Sequence, residues 1–335
     1  MDLRHLTPKT LDRAGGRLHQ VLVEPVRYLV EAGGARWRPQ LLLSVIDLLG
    51  GDSTRYLPLA AAMELMHTGS LMVDDIQDQA RLRRGRAAAH TVFGLATTLN
   101  AGTTAYFTFD HALRTTLPHD PALRTAVYET CLGALRAAHA GQGLDLAGHR
   151  TEMDAAVATG GGREVLELVR VTHRLKSGAP VRACMEAGAL LAGADPKMRS
   201  ALGTFGEAVG TSYQIIDDVL DMQGVIRRGT ATKRAGEDLF NGKVTMPLAH
   251  AVELLDQPQL RKLWRGLRDG RATRRRVRRA IAVLSACGAL QASTHEAHTT
   301  LERSWEPLAD LIGNSANAHS FWTMASQAVC RSRIA

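Results

Sequence analysis

Aromatic residues are scarce in this chain. Four Trp, five Tyr and six Phe make up 4% of its 335 residues. Around the basic stretch 261–279 only Trp264 is interleaved, so base stacking is not expected and nucleic acid is not an expected partner. Cysteine is as sparse. Cys131, Cys184, Cys287 and Cys330 lie far apart with no C-x-x-C pair, which argues against a zinc site or a disulfide framework. Strand-forming runs are few. No apolar run reaches the roughly 18 residues that read as a membrane span. The opening Met-Asp-Leu-Arg-His has no apolar signal core. The expectation is a soluble, cytoplasmic protein. What is abundant is Ala, Leu and Arg, with 45% hydrophobic residues overall, so the chain reads as all-α. The net charge of +8 suits an anionic substrate, an anionic membrane surface or nucleic acid without choosing among them.

Two acidic clusters share one spacing. The first is Asp74-Asp75-x-x-Asp78 and the second Asp217-Asp218-x-x-Asp221. Each ends an apolar segment of helical periodicity. Residues four apart share a helix face, so Asp74 projects with Asp78 and Asp217 with Asp221. One such cluster is most simply a solvated helix face. Two copies embedded in Leu, Ile, Met and Val are not. Six crowded carboxylates repel and are costly to desolvate. Hard divalent cations resolve this, and Mg²⁺ is the usual choice where a phosphate completes the coordination.

Other features line up behind these clusters. Gly33-Gly34-Ala35-Arg36-Trp37-Arg38-Pro39 could present backbone N–H groups and arginines to an anion, or could be an ordinary helix–helix turn. A helix is expected over 57–77. His67 lies seven residues before Asp74 on nearly the same face, either a satisfied core histidine or a site residue. Arg83 and Arg84 follow the first cluster, and guanidinium forks grip phosphate bidentately. Helices are expected over 87–118 and 121–148, the second carrying Gln142 and Asp145 on one face. Residues 1–32 should be mostly helical, with breaks at Gly15-Gly16 and Pro25. In the stretch 163–192, Pro180 implies a kink that would point Lys176 inward. Basic residues again follow the second cluster, including Lys233 and Lys243. Residues 248–335 read as four helices. Ten basic residues fall within 261–279, as a solvated face or a transient contact with a membrane surface.

Taken together, the chain resembles the trans-type isoprenyl diphosphate synthases, the polyprenyl synthetase family, over nearly its whole length. The matching stretches are the 33–39 entry, Glu64-Leu65-Met66-His67, both acidic motifs, Arg83-Arg84-Gly85, Gln142-x-x-Asp145, Lys176-Ser177-Gly178, Gln214 before the second motif, and Gly236-x-Asp238-x-x-x-Gly242-Lys243-x-Thr245-x-Pro247. The resemblance implies one isoprenoid synthase domain over 1–335, its helices around a deep central cavity, as a homodimer. It implies about three Mg²⁺ ions on Asp74, Asp78, Asp217 and Asp221, with Asp75 and Asp218 completing the catalytic set. The allylic diphosphate would meet Arg83, Lys176, Ser177, Gln214, Lys233 and Lys243. Isopentenyl diphosphate would meet Arg36, Arg38, His67 and Arg84.

Two positions depart from the family pattern. Ala35 stands where members carry Lys, and Gly102-Thr103 where they carry Gly-Asp. The allylic half is intact and the acceptor half altered. Chain elongation with isopentenyl diphosphate is the leading expectation. A same-fold prenyltransferase with another acceptor and a terpene synthase are the alternatives, and the shortage of aromatics for cation stabilisation weighs against the last. One helical turn rises about 5.4 Å, close to one isoprene unit. Gly69 and Ser70 are small and Met66 lies deeper, so a product of about 20 carbons, geranylgeranyl diphosphate, is expected by that ruler.

Overall fold

The structure, a computed structural model, describes residues 7–227, 230–233 and 235–330, with side chains at all of these except residues 8, 225–227 and 230–233. In chain order the first helices are α1 Pro8–Leu18, α2 Glu24–Glu31, α3 Trp37–Leu48, α4 Leu57–Gln77, α5 Ala89–Phe93, α6 Leu95–Ala105 and α7 Thr108–Thr116. They are followed by α8 Pro121–Ala147, α9 Arg150–Thr159, α10 Arg163–His173, α11 Ala179–Leu191 and α12 Pro196–Gln223. The last are α13 Glu237–Phe240, α14 Met246–Leu254, α15 Gln257–Arg265, α16 Arg274–Ala286, α17 Ala289–Ile312 and α18 Ala316–Val329. Among the described residues the strands are confined to two small antiparallel hairpins, β1 Leu82–Arg83 with β2 Arg86–Ala87, and β3 Val225–Arg227 with β4 Thr230–Lys233. The fold is all-α, as expected from the sequence. No described helix is long and apolar enough to cross a membrane.

The chain forms two compact units, Met1–Gln40 with Thr54–Pro121, and Leu41–Ser53 with Ala122–Ala335. In the first, α2, α4, α5 and α6 meet at the buried Leu29, Met72, Ala89 and Ala101. In the second, α12 is the core helix and packs against α11 and α17. Asp195 caps α12 by accepting the Met198 N–H at 2.8 Å, and Pro196 opens its first turn, where no intrahelical N–H is needed. Phe205, Leu202 and Val209 on this helix are fully buried.

Several boundaries differ from the sequence reading. Helix α1 runs straight through Gly15-Gly16, because neither glycine takes a positive φ. The break falls instead in a wide, five-residue turn over His19–Val23, just before Pro25 enters α2. The expected helix over 87–118 is three, because Gly94 at φ 83° ends one and the chain turns at Tyr106 and Phe107. Among the described residues the C-terminal region holds five helices rather than four, since Asp256 and Thr273 each cap a new one.

A partly buried ion pair ties three helices of the second unit. Arg170 of α10 donates to both oxygens of Glu296 on α17, at 2.6 and 2.8 Å, and His250 of α14 lies 2.9 Å from the same carboxylate. Burial alone would raise the Glu296 pKa, but Arg170 and His250 outweigh it and pull it from 4.5 down to about 2. A depressed carboxyl pKa stabilises the fold above its unfolded value and loses that contribution as pH falls through the folded one. Glu296→Gln should therefore cost about 1–2 kcal/mol at pH 7, the lower part of the range for charged hydrogen bonds because Arg170 is partly solvated. Urea unfolding across pH should show that gap closing between pH 4.5 and about 2. A gap that stays constant with pH would assign the loss to packing.

Candidate active site

Both acidic motifs sit at the C-terminal ends of their helices. Asp74 and Asp75 lie in the last turn of α4 and Asp78 is its C-cap residue, while Asp217, Asp218 and Asp221 lie in the last two turns of α12. The helix dipole places partial negative charge there, so carboxylates at that end add to it rather than offset it. Only cations relieve such an arrangement, and each unit supplies some of its own.

In the first unit the cation is Arg83. Its guanidinium donates to Asp75 Oδ1 at 2.7 Å and to Asp74 Oδ2 at 3.3 Å. Asp75 is 1% exposed, and among the described residues its Oδ2 has no hydrogen-bond partner. Burial pushes the Asp75 carboxyl up, while Arg83 pulls against it. Asp74 is half-buried and Asp78 exposed, so these two present their oxygens outward. Tyr106, at the end of α6, feels the same charge: burial and the Asp74 carboxylate push its phenol up to about 12.

The turn that follows carries Arg84 away from Arg83. Arg84 and Gly85 link β1 to β2 at φ 53° and 78°, the pair of positive values that a tight hairpin turn needs. Arginine is strained at such a φ, and its side chain is held by what it meets. It donates to the Leu29 carbonyl at 3.0 Å and lies 3.7 Å from Glu64. Gly34 makes room for it, since a Cβ there would stand 2.7 Å from the guanidinium carbon. Arg38 lies 3.2 Å from His67 Nε2. Arg36, also left-handed at φ 48°, donates to the Val30 carbonyl at 3.3 Å. Burial raises the Glu64 pKa, and the charges of Arg84, Arg38 and Arg36 oppose it. Arg36, Arg38 and Arg84 thus act on one buried carboxylate, Glu64, and His67 adjoins them through Arg38. Ala35 is exposed beside them, and Thr103 returns its hydroxyl to the Leu99 carbonyl of its own helix at 2.9 Å.

In the second unit the cations are lysines. Lys176 and Lys243 both donate to Asp145 Oδ2, at 2.7 and 2.8 Å. Burial would raise the Asp145 pKa, yet the two ammoniums hold it far below the ordinary carboxylate range. Burial would lower Lys243, and Asp238, Asp145 and Asp218 more than reverse that. Lys176 is turned inward by a five-residue helical turn over Arg174–Gly178, wider than an α turn, rather than by a proline kink. Such turns recur at functional sites. Gly141 of α8 and Gly210 of α12 have no room for a Cβ against this turn, so both helices approach its backbone directly.

Ser177 donates to Gln214 at 2.7 Å, and Gln214 in turn donates to Asp218 at 3.4 Å. Asp218 is buried. Its Oδ2 accepts the Met246 N–H, at the start of α14, at 2.9 Å and lies 3.3 Å from His173. His173 and this N–H offset burial and lower the Asp218 pKa. Asp221 is fully buried and accepts the Asp238 N–H at 3.2 Å. Of the second motif, Asp217 is the most exposed. Lys233 falls in β4, and its side chain lies outside the described residues.

One placement overturns an expectation. Gly69 faces α6, not an open channel. A Cβ on Gly69 would overlap the Gly102 carbonyl and stand 2.9 Å from Ala105 Cβ, and Gly102 in turn has no room against the Gly69 carbonyl. Its small size serves close helix packing, so the open path expected beside it is filled by α6. Ser70 and Met66 remain half-buried, with the Ser70 hydroxyl donating to the His67 carbonyl at 2.8 Å.

Residues 19–284 match the polyprenyl synthetase family. The chain belongs to that family. It is 35% identical over 243 residues to the farnesyl diphosphate synthase of Geobacillus stearothermophilus, covering 70% of this chain and 78% of that one. It is 30% identical over 292 residues to the geranylgeranyl diphosphate synthase of Methanosarcina mazei, with 86% and 83% covered. Its fold matches the crystal structure of a polyprenyl synthase from Caulobacter crescentus, complexed with calcium and isoprenyl diphosphate, at a TM-score of 0.80 and 27% identity, over 96% of this chain and 94% of that one. The fold is therefore the all-α isoprenoid synthase fold, and the chain, like the family, is a prenyltransferase. The family acts on allylic and isopentenyl diphosphates.

Proposed function

We propose that this chain joins an allylic diphosphate to isopentenyl diphosphate in a Mg²⁺-dependent reaction, releasing pyrophosphate and leaving a longer all-trans prenyl diphosphate. The observation that carries this reading is the pair of ammoniums, Lys176 and Lys243, fixed on one oxygen of Asp145 close to a carboxylate motif at a helix C-terminus. That is a set of fixed positive charges for a leaving diphosphate. The whole chain, 1–335, acts as one catalytic domain.

The donor set fits magnesium. Asp74, Asp78 and Asp217 offer hard, partly exposed oxygens, and Asp221, buried in the last turn of α12, is the fourth proposed ligand. Magnesium suits such a set, because it binds through one or two carboxylates and completes its shell with water and substrate phosphate. About three ions per site are proposed. Bound there, they would supply Lewis-acid stabilisation of the charge growing on the departing pyrophosphate.

The chain's own residues do the rest. Lys176, Lys243, Lys233, Ser177, Gln214 and Arg83 bind and orient the allylic diphosphate. Asp75 positions Arg83, and Asp218 fixes the end of α12 against α14 and His173. The C1–O bond of the allylic diphosphate breaks, and the electron pair leaves with pyrophosphate. The double bond of isopentenyl diphosphate then attacks C1. A proton is lost from the resulting cation to pyrophosphate, giving the new trans double bond. Arg36, Arg38, His67 and Arg84 hold isopentenyl diphosphate, and Arg36 replaces the charge missing at Ala35. Its field reaches Glu64 together with those of Arg38 and Arg84. Ser70 and Met66 are the proposed determinants of length. The proposed product is geranylgeranyl diphosphate, about 20 carbons by the per-turn ruler. The chain works as a homodimer in the cytoplasm. Leu95 and Leu99, 58% and 39% exposed on α6, give it an apolar face for self-association.

Purified protein with Mg²⁺ and farnesyl diphosphate should give a longer prenyl diphosphate, seen by mass spectrometry, only when isopentenyl diphosphate is present. Alcohol, hydrocarbon or pyrophosphate released without isopentenyl diphosphate would sink this reading and point to another acceptor.

A further inference from the structure

The ten basic residues of 261–279 do not all share one solvated face. Arg274, Arg275, Arg278 and Arg279 are exposed along α16. Arg265, Arg268, Arg271 and Arg276 instead converge, with Arg150 of α9, on a concave cleft of about 450 Å³. That volume lies within the range of small-ligand sites, about 300–1,000 Å³. We propose that this cleft binds a condensed phosphate, such as inorganic pyrophosphate or the polyphosphate tail of a nucleotide.

The charge balance within the cleft points to an anion. Arg268 is neutralised by Asp154, to which it donates at 2.7 and 2.8 Å. Asp269 is the one acidic residue of the lining. Arg265, Arg271 and Arg276 are exposed and have no carboxylate partner among the described residues. Among the described residues Arg150 meets no carboxylate either. It donates to the Asn241 carbonyl at 2.7 Å and to the Gly242 carbonyl at 3.2 Å. Those bonds use Nε and one terminal nitrogen, and leave the other terminal nitrogen for a ligand. Guanidinium groups converging on one space repel unless something negative lies between them, and their planar forks match phosphate oxygens.

The local sequence breaks a rule in the same place. The first turn of α16 is Arg274-Arg275-Arg276, with no acidic residue. Positive charge at a helix N-terminus adds to the positive end of the dipole, where acids are favoured. Such a conflict tends to mark a functional site. An anion in the cleft would relieve both the dipole and the mutual repulsion. An apolar ligand would relieve neither. None of the residues assigned to the prenyl transfer lines this cleft, so the inference stands whether or not that assignment holds.

The test is calorimetric titration of inorganic pyrophosphate into the full-length protein in EDTA, which suppresses magnesium-dependent binding at the aspartates. Saturable binding is expected for the wild type. It should be at least tenfold weaker in R265Q/R271Q/R276Q and within twofold of wild type in Lys176→Gln. Thermal unfolding of the triple variant close to wild type shows that it folds. Should it not fold, Arg271→Gln alone carries the test, with at least threefold weaker binding expected. Absence of saturable binding overturns the proposal. So does equal binding in the arginine variant, or a loss confined to Lys176→Gln. Sedimentation with phosphatidylglycerol vesicles that depends on these arginines, in a protein that does not bind pyrophosphate, also overturns it and assigns the cleft to a membrane surface.

Discussion

Replacing Asp145 with Asn is expected to slow prenyl transfer by about 10²–10³-fold, the effect of removing one preorganised group that stabilises transition-state charge. Asp145 need not touch substrate to have this effect. Both Lys176 and Lys243 are fixed by its Oδ2. An amide keeps the shape and removes the charge. The two ammoniums then repel without the carboxylate that holds them together, and Lys243, still attracted by Asp238 and Asp218, moves apart from Lys176. That movement takes a fixed positive charge from the place where the diphosphate leaves. The loss should appear mainly in kcat, because the stabilised charge develops only as the C–O bond breaks. Circular dichroism should show a folded protein. Steady-state pyrophosphate release is the readout, and a rate within about threefold of wild type would detach the lysine pair from catalysis.

Gly69→Phe should destabilise the first unit and leave the length of any product unchanged. A ring at this position has no channel to enter. Its Cβ alone would overlap the Gly102 carbonyl of α6, and the helices can separate only by opening the packing at Met72, Val73 and Ala105. Overpacking of a core commonly costs about 1–3 kcal/mol, and a clash with backbone lies at or above the top of that range. A drop in the urea midpoint at constant slope is the expected signature. Ser70→Phe is the contrasting variant. Ser70 is half-buried and its hydroxyl is occupied only by its own helix, so the larger side chain should be tolerated and shorten the product. Shortening by Gly69→Phe, with stability intact, would restore that glycine to the ruler.

These two positions also mark what the sequence could and could not reveal. The 57–77 helix was legible to the residue, because a long apolar segment of 3.6 periodicity, opened by Pro58, leaves little choice. The acidic motifs are legible from their spacing, and the structure places both at helix C-terminal ends. The packing of Gly69 against α6 is not legible, because a small residue beside a motif looks the same in sequence whether it faces a cavity or another backbone. The wide turn at Lys176 left no compositional mark, and Pro180 suggested a kink in its place. Glu64, His173 and Tyr106 went without roles because burial, not spacing, makes them matter. Glu64 matters through the arginines that surround it, and His173 through a carboxylate 45 positions away in the chain. The three helices within 87–118 were merged because Gly94 is a single residue whose positive φ is invisible to periodicity.

Between Arg174 and Gly178 the helix is closed by a five-residue turn. A turn closed by five residues carries one residue more than the ladder of an α-helix needs, and one residue is about 100° of helical rotation. The stem from Arg163 to Leu191 is therefore continuous in space but out of phase with itself. Before the turn the stem packs against α9, α12 and α14, and after it against α12. Removing any single residue from 174–178 would cancel the slip. The stripe facing α12 would rotate by about a third of a turn, and Lys176 would lose its line to Asp145. A residue removed from an exposed loop would leave that phase untouched.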